Sequence, residues 1–243
     1  MLNAENRERQ VIFCSSCVNV YIIILDDMMD VLHIDEKWFY LTEVKKNYYL
    51  GNDDHDPYRS VRNKRFISKV MFLIAVAWPI WETRYNRQFD GKIGTWPFIV
   101  MGNAQKNSRN IPSVTIISNP INSINKEVCN RFMVDKVLPE IAENFRATTV
   151  EFLSKYSKVM RPPHVKPQDP QFVAAAQATG IKISLIYQPH NSPELNFLDP
   201  GFLSSIYSLQ HTKAPQNVED LTTAVTDSYN KQHFSKIKNI FLT

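Results

Sequence analysis

Glycine is scarce in this chain: six residues in 243, at Gly51, Gly91, Gly94, Gly102, Gly180 and Gly201. Neither Gly-x-x-x-x-Gly-Lys nor Gly-x-Gly-x-x-Gly can be assembled from them, which excludes the backbone cradles that hold nucleotide phosphates. Cysteine is scarcer still. Cys14, Cys17 and Cys129 are an odd number that builds no disulfide framework and fits a reducing, intracellular compartment. Cys14 and Cys17 have the spacing of a zinc or redox pair, but no second Cys or His pair matches it, so they read as helix-face thiols. Long apolar runs are missing too. The stretches 18–25 and 70–77 are eight residues each, where a spanning helix needs about 20. The first 25 residues make a poor secretory leader, because Glu5 and Glu8 spoil its basic end and Ser15, Ser16 and Asn19 its apolar one.

What is present suits one large folded domain: 44% hydrophobic residues, with 14 Phe, 10 Tyr and 4 Trp, are enough to offset ordering entropy and exclude global disorder. The formal charge of +4 permits an anionic partner without demanding one. Residues 1–27 read as a helical and then extended leading segment, and residues 28–243 as one domain. Short apolar runs rich in β-branched and aromatic residues follow one another at 31–34, 38–41, 48–50 and 70–76, as in an antiparallel meander. The pattern then changes. Asn125 is placed to cap a helix with Val128, Phe132, Val137, Leu138, Ile141 and Phe145 on one side and a kink at Pro139. Asp169-Pro170 starts a second helix that Gly180 stops, Ile181, Ile183 and Leu185 alternate as a strand, and further helices begin near Pro200 and Val218. Strands first and helix–strand alternation afterwards predict an α/β fold, a mixed sheet flanked by helices.

Asp35 and Glu36 follow the apolar run 31–34, within or at the end of a central strand. Neighbouring strand residues face opposite ways, so the two cannot share one metal ion, and an acidic pair there also fits a solvated strand end. Asp199-Pro200 reads equally as a helix cap. Arg59, Arg62, Lys64, Arg65 and Lys69 form a basic run without an acid, while Lys106 and Arg109 flank a polar loop and Lys231, Lys236 and Lys238 crowd the C-terminus. Such runs serve as solvated faces or as tracks for nucleic-acid phosphates. Trp38, Trp78 and Trp96 read as core, and His33 and His164 as structural.

Taken in order, His33-Ile-Asp-Glu-Lys-Trp-Phe-Tyr40, Lys69-Val-Met-Phe-Leu73, Phe89-Asp-Gly-Lys-Ile-Gly94 with Trp96-Pro97, and Gln188-Pro-His-Asn-Ser-Pro-Glu-Leu-Asn-Phe-Leu-Asp199 carry a family signature. Over residues 28–243 the chain resembles the catalytic domain of mariner-like DDE/D transposases, closest to the branch found in plants and oomycetes. The resemblance implies a ribonuclease H-like fold, with an antiparallel meander followed by parallel strands. It also implies an ancestral activity of metal-dependent DNA cleavage and strand transfer, a nuclear location, DNA as partner and a possible homodimer. Asp35 matches the family's first ligand to a pair of Mg²⁺ or Mn²⁺ ions, and Asp199 the third. Counting back from His164 puts the second at Val159, with 39 residues between it and Asp199, and valine offers no oxygen. Ser154 to Lys158 stand where the family has a buried apolar run. Glu151 and Asp169 are the nearest acidic substitutes, and neither is in register. Relative to the family, the helix-turn-helix modules ahead of residue 28 are missing and the chain stops within a helix. The expectation is an impaired enzyme, or a non-catalytic DNA-binding or dimerising protein of transposase descent, or an unstable relic.

Overall fold

In the computed structural model, residues 4–16, 18–19, 24–25, 31–41, 67–82, 86–103, 115–146, 156–159, 166, 168–181, 183–186, 189, 192 and 198–242 are described. In chain order they form helix α1 (Ala4–Ser16), the short strands β1 (Val18–Asn19) and β2 (Ile24–Leu25), then β3 (Val31–Tyr40), β4 (Lys69–Val76), β5 (Ile80–Glu82), β6 (Arg87–Phe89) and β7 (Lys92–Pro97). The hairpin of β8 (Ile99–Asn103) and β9 (Ile116–Pro120) follows, then α2 (Lys126–Phe132), α3 (Leu138–Arg146), β10 (Tyr156–Val159), α4 (Pro170–Ala178) and β11 (Ile183–Ile186). Three helices close the chain: α5 (Ser204–Thr212), α6 (Val218–Asn230) and α7 (Phe234–Phe241).

Five strands make the main sheet in the order β11, β10, β3, β4, β7. β4 pairs antiparallel with β3 and with β7, while β10 runs alongside β3 and β11 in the same direction as both. The apolar runs 31–34 and 38–41 are not separate strands. Asp35, Glu36 and Lys37 bridge them into one ten-residue strand, half-buried at those positions where Val31 to Ile34 are buried. β4 is apolar almost throughout, as a strand covered on both faces should be.

Alternation along these strands feeds two cores. On one face Leu32, Ile34, Leu73 and Ala75 pack with Val137, Leu138, Ile141 and Phe172, so α2, α3 and α4 cover it. On the other face Phe39, Phe72, Ile74 and Val76 pack with Phe202, Leu203, Ile206, Val225 and Ile237, so α5, α6 and α7 cover that side. Asn125 caps α2, its side chain accepting from the Val128 amide at 2.9 Å. A π-helical turn over Met133–Val137 precedes Pro139, where the sequence predicts a kink. The Leu138 amide donates to the Met133 carbonyl five residues back, and Pro139, which has no N–H, follows directly.

Two tertiary ties fix the second helical layer. Lys92 bonds Asp90 at 2.8 Å and donates to the carbonyls of Asn230 at 2.7 Å and Gln232 at 3.2 Å, tying β7 to the end of α6. Between these charges lies Gly91, at φ +83, where an added Cβ would sit 2.4 Å from the Ala77 carbonyl. Only glycine fits that turn.

Candidate active site

Asp35 lies opposite Ile74 in the β3–β4 pairing, and His33 lies opposite Val76. Both partners belong to the core under α5, α6 and α7, so Asp35 and His33 share that face of the sheet. Asp199 opens a π-helical turn, Asp199–Leu203, that leads into α5. It is the first residue of that turn and not the cap, a position that Leu198 holds. Leu198, Phe202 and Leu203 pack into the core that contains Phe39 and Ile74, which seats the turn on the face that Asp35 occupies. The fold thus brings two acidic positions, with 163 residues between them in sequence, to one side of one sheet.

The wall beside them is aromatic. His33 is buried, with its ring edge-on to Phe241 at 5.0 Å, and Phe241 is also edge-on to Trp78 at 5.5 Å. Burial pulls the imidazole down to about 4, so it is neutral near pH 7 and adds no positive charge next to Asp35. The sequence placed His33 on the strand but gave no sign of Phe241, which arrives from the far end of the chain. Two further groups tie the helices to this face: the Tyr229 hydroxyl donates to the Ala75 carbonyl at 2.9 Å, and the Gln210 amide to the Tyr40 carbonyl at 3.2 Å.

The other sequence candidates fare differently. Val159 ends β10 in register with His33 on one side and Ile186 on the other. Asp169 caps α4. Its carboxylate accepts from the Gln171 amide and the Asn130 side chain, each at 3.2 Å, and pairs with Lys126 at 3.4 Å. Burial would raise its pKa, but the amides of Phe172 and Gln171 together with Lys126 hold it below the usual carboxylate value. α4 packs through Phe172 and Ala176 on the sheet face opposite Asp35. Lys69, the last of the basic run, lies with its ammonium 4.1 Å over the Trp38 ring and 5.9 Å from that of Tyr40. Arg59, Arg62, Lys64, Arg65, Lys106, Arg109, Glu151, His164 and Cys17 lie outside the described residues. Cys14 is exposed and Cys129 buried.

A pair of Mg²⁺ ions needs several oxygen donors, and among the described residues the donor set does not fit one. The strand beside Asp35 ends in a hydrocarbon side chain, Asp169 is committed to its helix cap, and no cluster of three His, Cys, Asp or Glu that could hold a metal forms among the described residues.

No protein-family model and no curated protein matches the sequence. Solved structures do. A pre-cleavage Mos1 transpososome aligns over 100% of this chain and 60% of its own, with a TM-score of 0.64 and 11% identity. The chain folds as a mariner transposase catalytic domain does. The Mos1 mariner paired-end complex with Mn aligns at a TM-score of 0.61 and 13% identity, over 100% of this chain and 60% of that one. The catalytic domain of Mos1 mariner transposase by itself gives 0.54 and 12%, covering 100% of this chain and 89% of that domain. The chain therefore spans about 60% of the Mos1 chains found in the DNA complexes, and the shared part is the mariner catalytic fold.

Proposed function

We propose that this chain is a ribonuclease H-like domain of mariner-type transposase descent that has kept two of its three metal-binding carboxylates, Asp35 and Asp199, and lost the second at Val159. The observation that carries the reading is the seating of the Asp199 turn on the sheet face of Asp35, within a fold shared end to end with the Mos1 catalytic domain. The ancestral reaction is an in-line displacement at a phosphodiester: water or a 3′ hydroxyl attacks phosphorus, and the opposite P–O bond breaks. Metal ions, where a complete site holds them, stabilise the charge on the attacking and leaving oxygens. With the second position a hydrocarbon, the domain binds DNA in the nucleus without cutting it. The second reading, a non-catalytic DNA-binding or dimerising protein, follows from the same loss.

Calorimetric titration of Mn²⁺ tests it. The unmodified chain should bind Mn²⁺ weakly and show no metal-dependent nicking of DNA, and Val159→Asp should bind it measurably tighter, with Asp35→Ala abolishing the gain. Tight binding or nicking by the unmodified chain would sink the assignment of Val159. Loss of that binding in Glu151→Ala or Asp169→Ala would identify the true ligand.

A further inference from the structure

Among the described residues, part of the positive charge is answered locally. Lys92, Lys126 and Lys213 each hold a carboxylate, at 2.8, 3.4 and 2.9 Å, and Lys69 rests on two aromatic rings. The segment from 228 to 243 carries three lysines, one histidine and no acid. Lys231, Lys236 and Lys238 are exposed there, as is His233, and among the described residues no ion pair holds any of the three lysines. The carboxylates that flank the end of α6, Asp90 and Asp227, are already taken by Lys92 and Lys213.

The helix carrying this charge is bound to the candidate site. Ile237 is fully buried and Ile240 and Phe241 are half-buried in the core that holds the Asp199 turn, while Phe241 packs on His33, two residues before Asp35. The outward side of α7 is Ser235 and Asn239 in the middle, with Lys236 on one flank and Lys238 on the other. Two small hydrogen-bonding side chains between two ammonium groups suit a phosphate backbone better than a protein or an apolar ligand. Eight helical residues span about 12 Å, close to the axial rise of three to four base pairs.

We infer that the outer face of α7, together with Lys231 at the end of α6, is a phosphate-tracking surface that holds duplex DNA alongside the Asp35–Asp199 face. The inference rests on the transposase reading above and adds to it a surface that the basic run at 59–69 does not include. Contact here is independent of sequence, since lysines on a backbone read charge and not bases.

The probe is a fluorescent duplex of arbitrary sequence, titrated by anisotropy at several salt concentrations. Replacing Lys231, Lys236 and Lys238 together with Ala should weaken binding and flatten the log–log salt slope by about 0.9 for each contact, about 2.7 in all. The matching triple Lys→Arg variant should keep affinity and slope. A control of equal charge change on the other side of the sheet, Arg131→Ala with Lys136→Ala and Lys166→Ala, should change neither. Should the Ala triple fail to fold, acetylation footprinting of the unmodified protein reads the same surface: DNA should protect Lys231, Lys236 and Lys238 and leave Lys136 reactive. Binding by the unmodified chain with an unchanged slope in the α7 triple, or an equal loss in the control triple, overturns this surface alone. No binding by the unmodified chain overturns it together with the DNA-binding reading.

Discussion

The two faces of the main sheet are built from the same strands and do different work. Under α2, α3 and α4, Leu32, Ile34, Leu73 and Ala75 form a hydrocarbon core, and the polar groups Asn130 and Asp169 are spent on holding helix ends. Under α5, α6 and α7, an equally apolar core of Phe39, Phe72 and Ile74 shares its face with His33 and Asp35, and the covering helices reach back to backbone carbonyls through Tyr229 and Gln210. A period of two along β3 lets one strand present hydrocarbon on one side and His33 and Asp35 among hydrocarbon on the other. Acidic residues inside a central strand are tolerable on the face where the cover thins, and β3 is half-buried from Asp35 to Trp38.

The comparison can be broken most severely at its hydrocarbon. If the two cores bear comparable load, Phe72→Ala should cost about 3 to 5 kcal/mol and Leu73→Ala about 2 to 5 kcal/mol in urea unfolding, since both side chains are buried and each deletion leaves a cavity. A loss under about 1 kcal/mol at either position would show that its face is not a packed core. The titrating group comes next. His33 has a folded pKa of about 4 against a model-peptide value of 6.5, so its contribution is intact above pH 6.5 and drains away as pH falls toward 4. That loss should reach about 3 kcal/mol, and His33→Leu should flatten the stability profile across this window. An identical profile in the variant would move the pH sensitivity off the second face. The smallest effect is expected on the first face, where Asp169→Ala removes the α4 cap and should cost about 1 kcal/mol without altering Mn²⁺ binding. A change in metal affinity would mean that Asp169 serves the site after all.

Much of the local structure was legible. Asn125 and Asp169 cap the helices that they were expected to cap, Gly180 stops α4 at φ +74, and the alternation at 181–185 yields β11. The helix boundaries follow the residue pattern, because caps, breakers and apolar periodicity act over a few residues, while the strand expected at 48–50 lies outside the described residues. The Asp199-Pro200 pair misleads when read as a cap: the structure puts Leu198 there and starts a π turn at Asp199, so that Phe202 and Leu203 can reach the core. The division of the 31–41 segment into two strands fails for a related reason. Three polar residues break a hydropathy pattern, but they do not break a ladder whose hydrogen bonds come from the backbone.

The sequence by itself determined where helices start and stop, which side chains are apolar enough to be covered, and that Asp35 and Asp199 stand in a mariner-like signature. Only the tertiary structure decided that β3 runs unbroken through Asp35, that Asp169 caps a helix on the opposite face, and that Phe241 closes over His33. The physical reason is range. A cap or a period of two is settled by neighbours in the chain, whereas the face on which a helix lands depends on summed apolar burial between segments far apart in sequence, as between Ile237 and Val76.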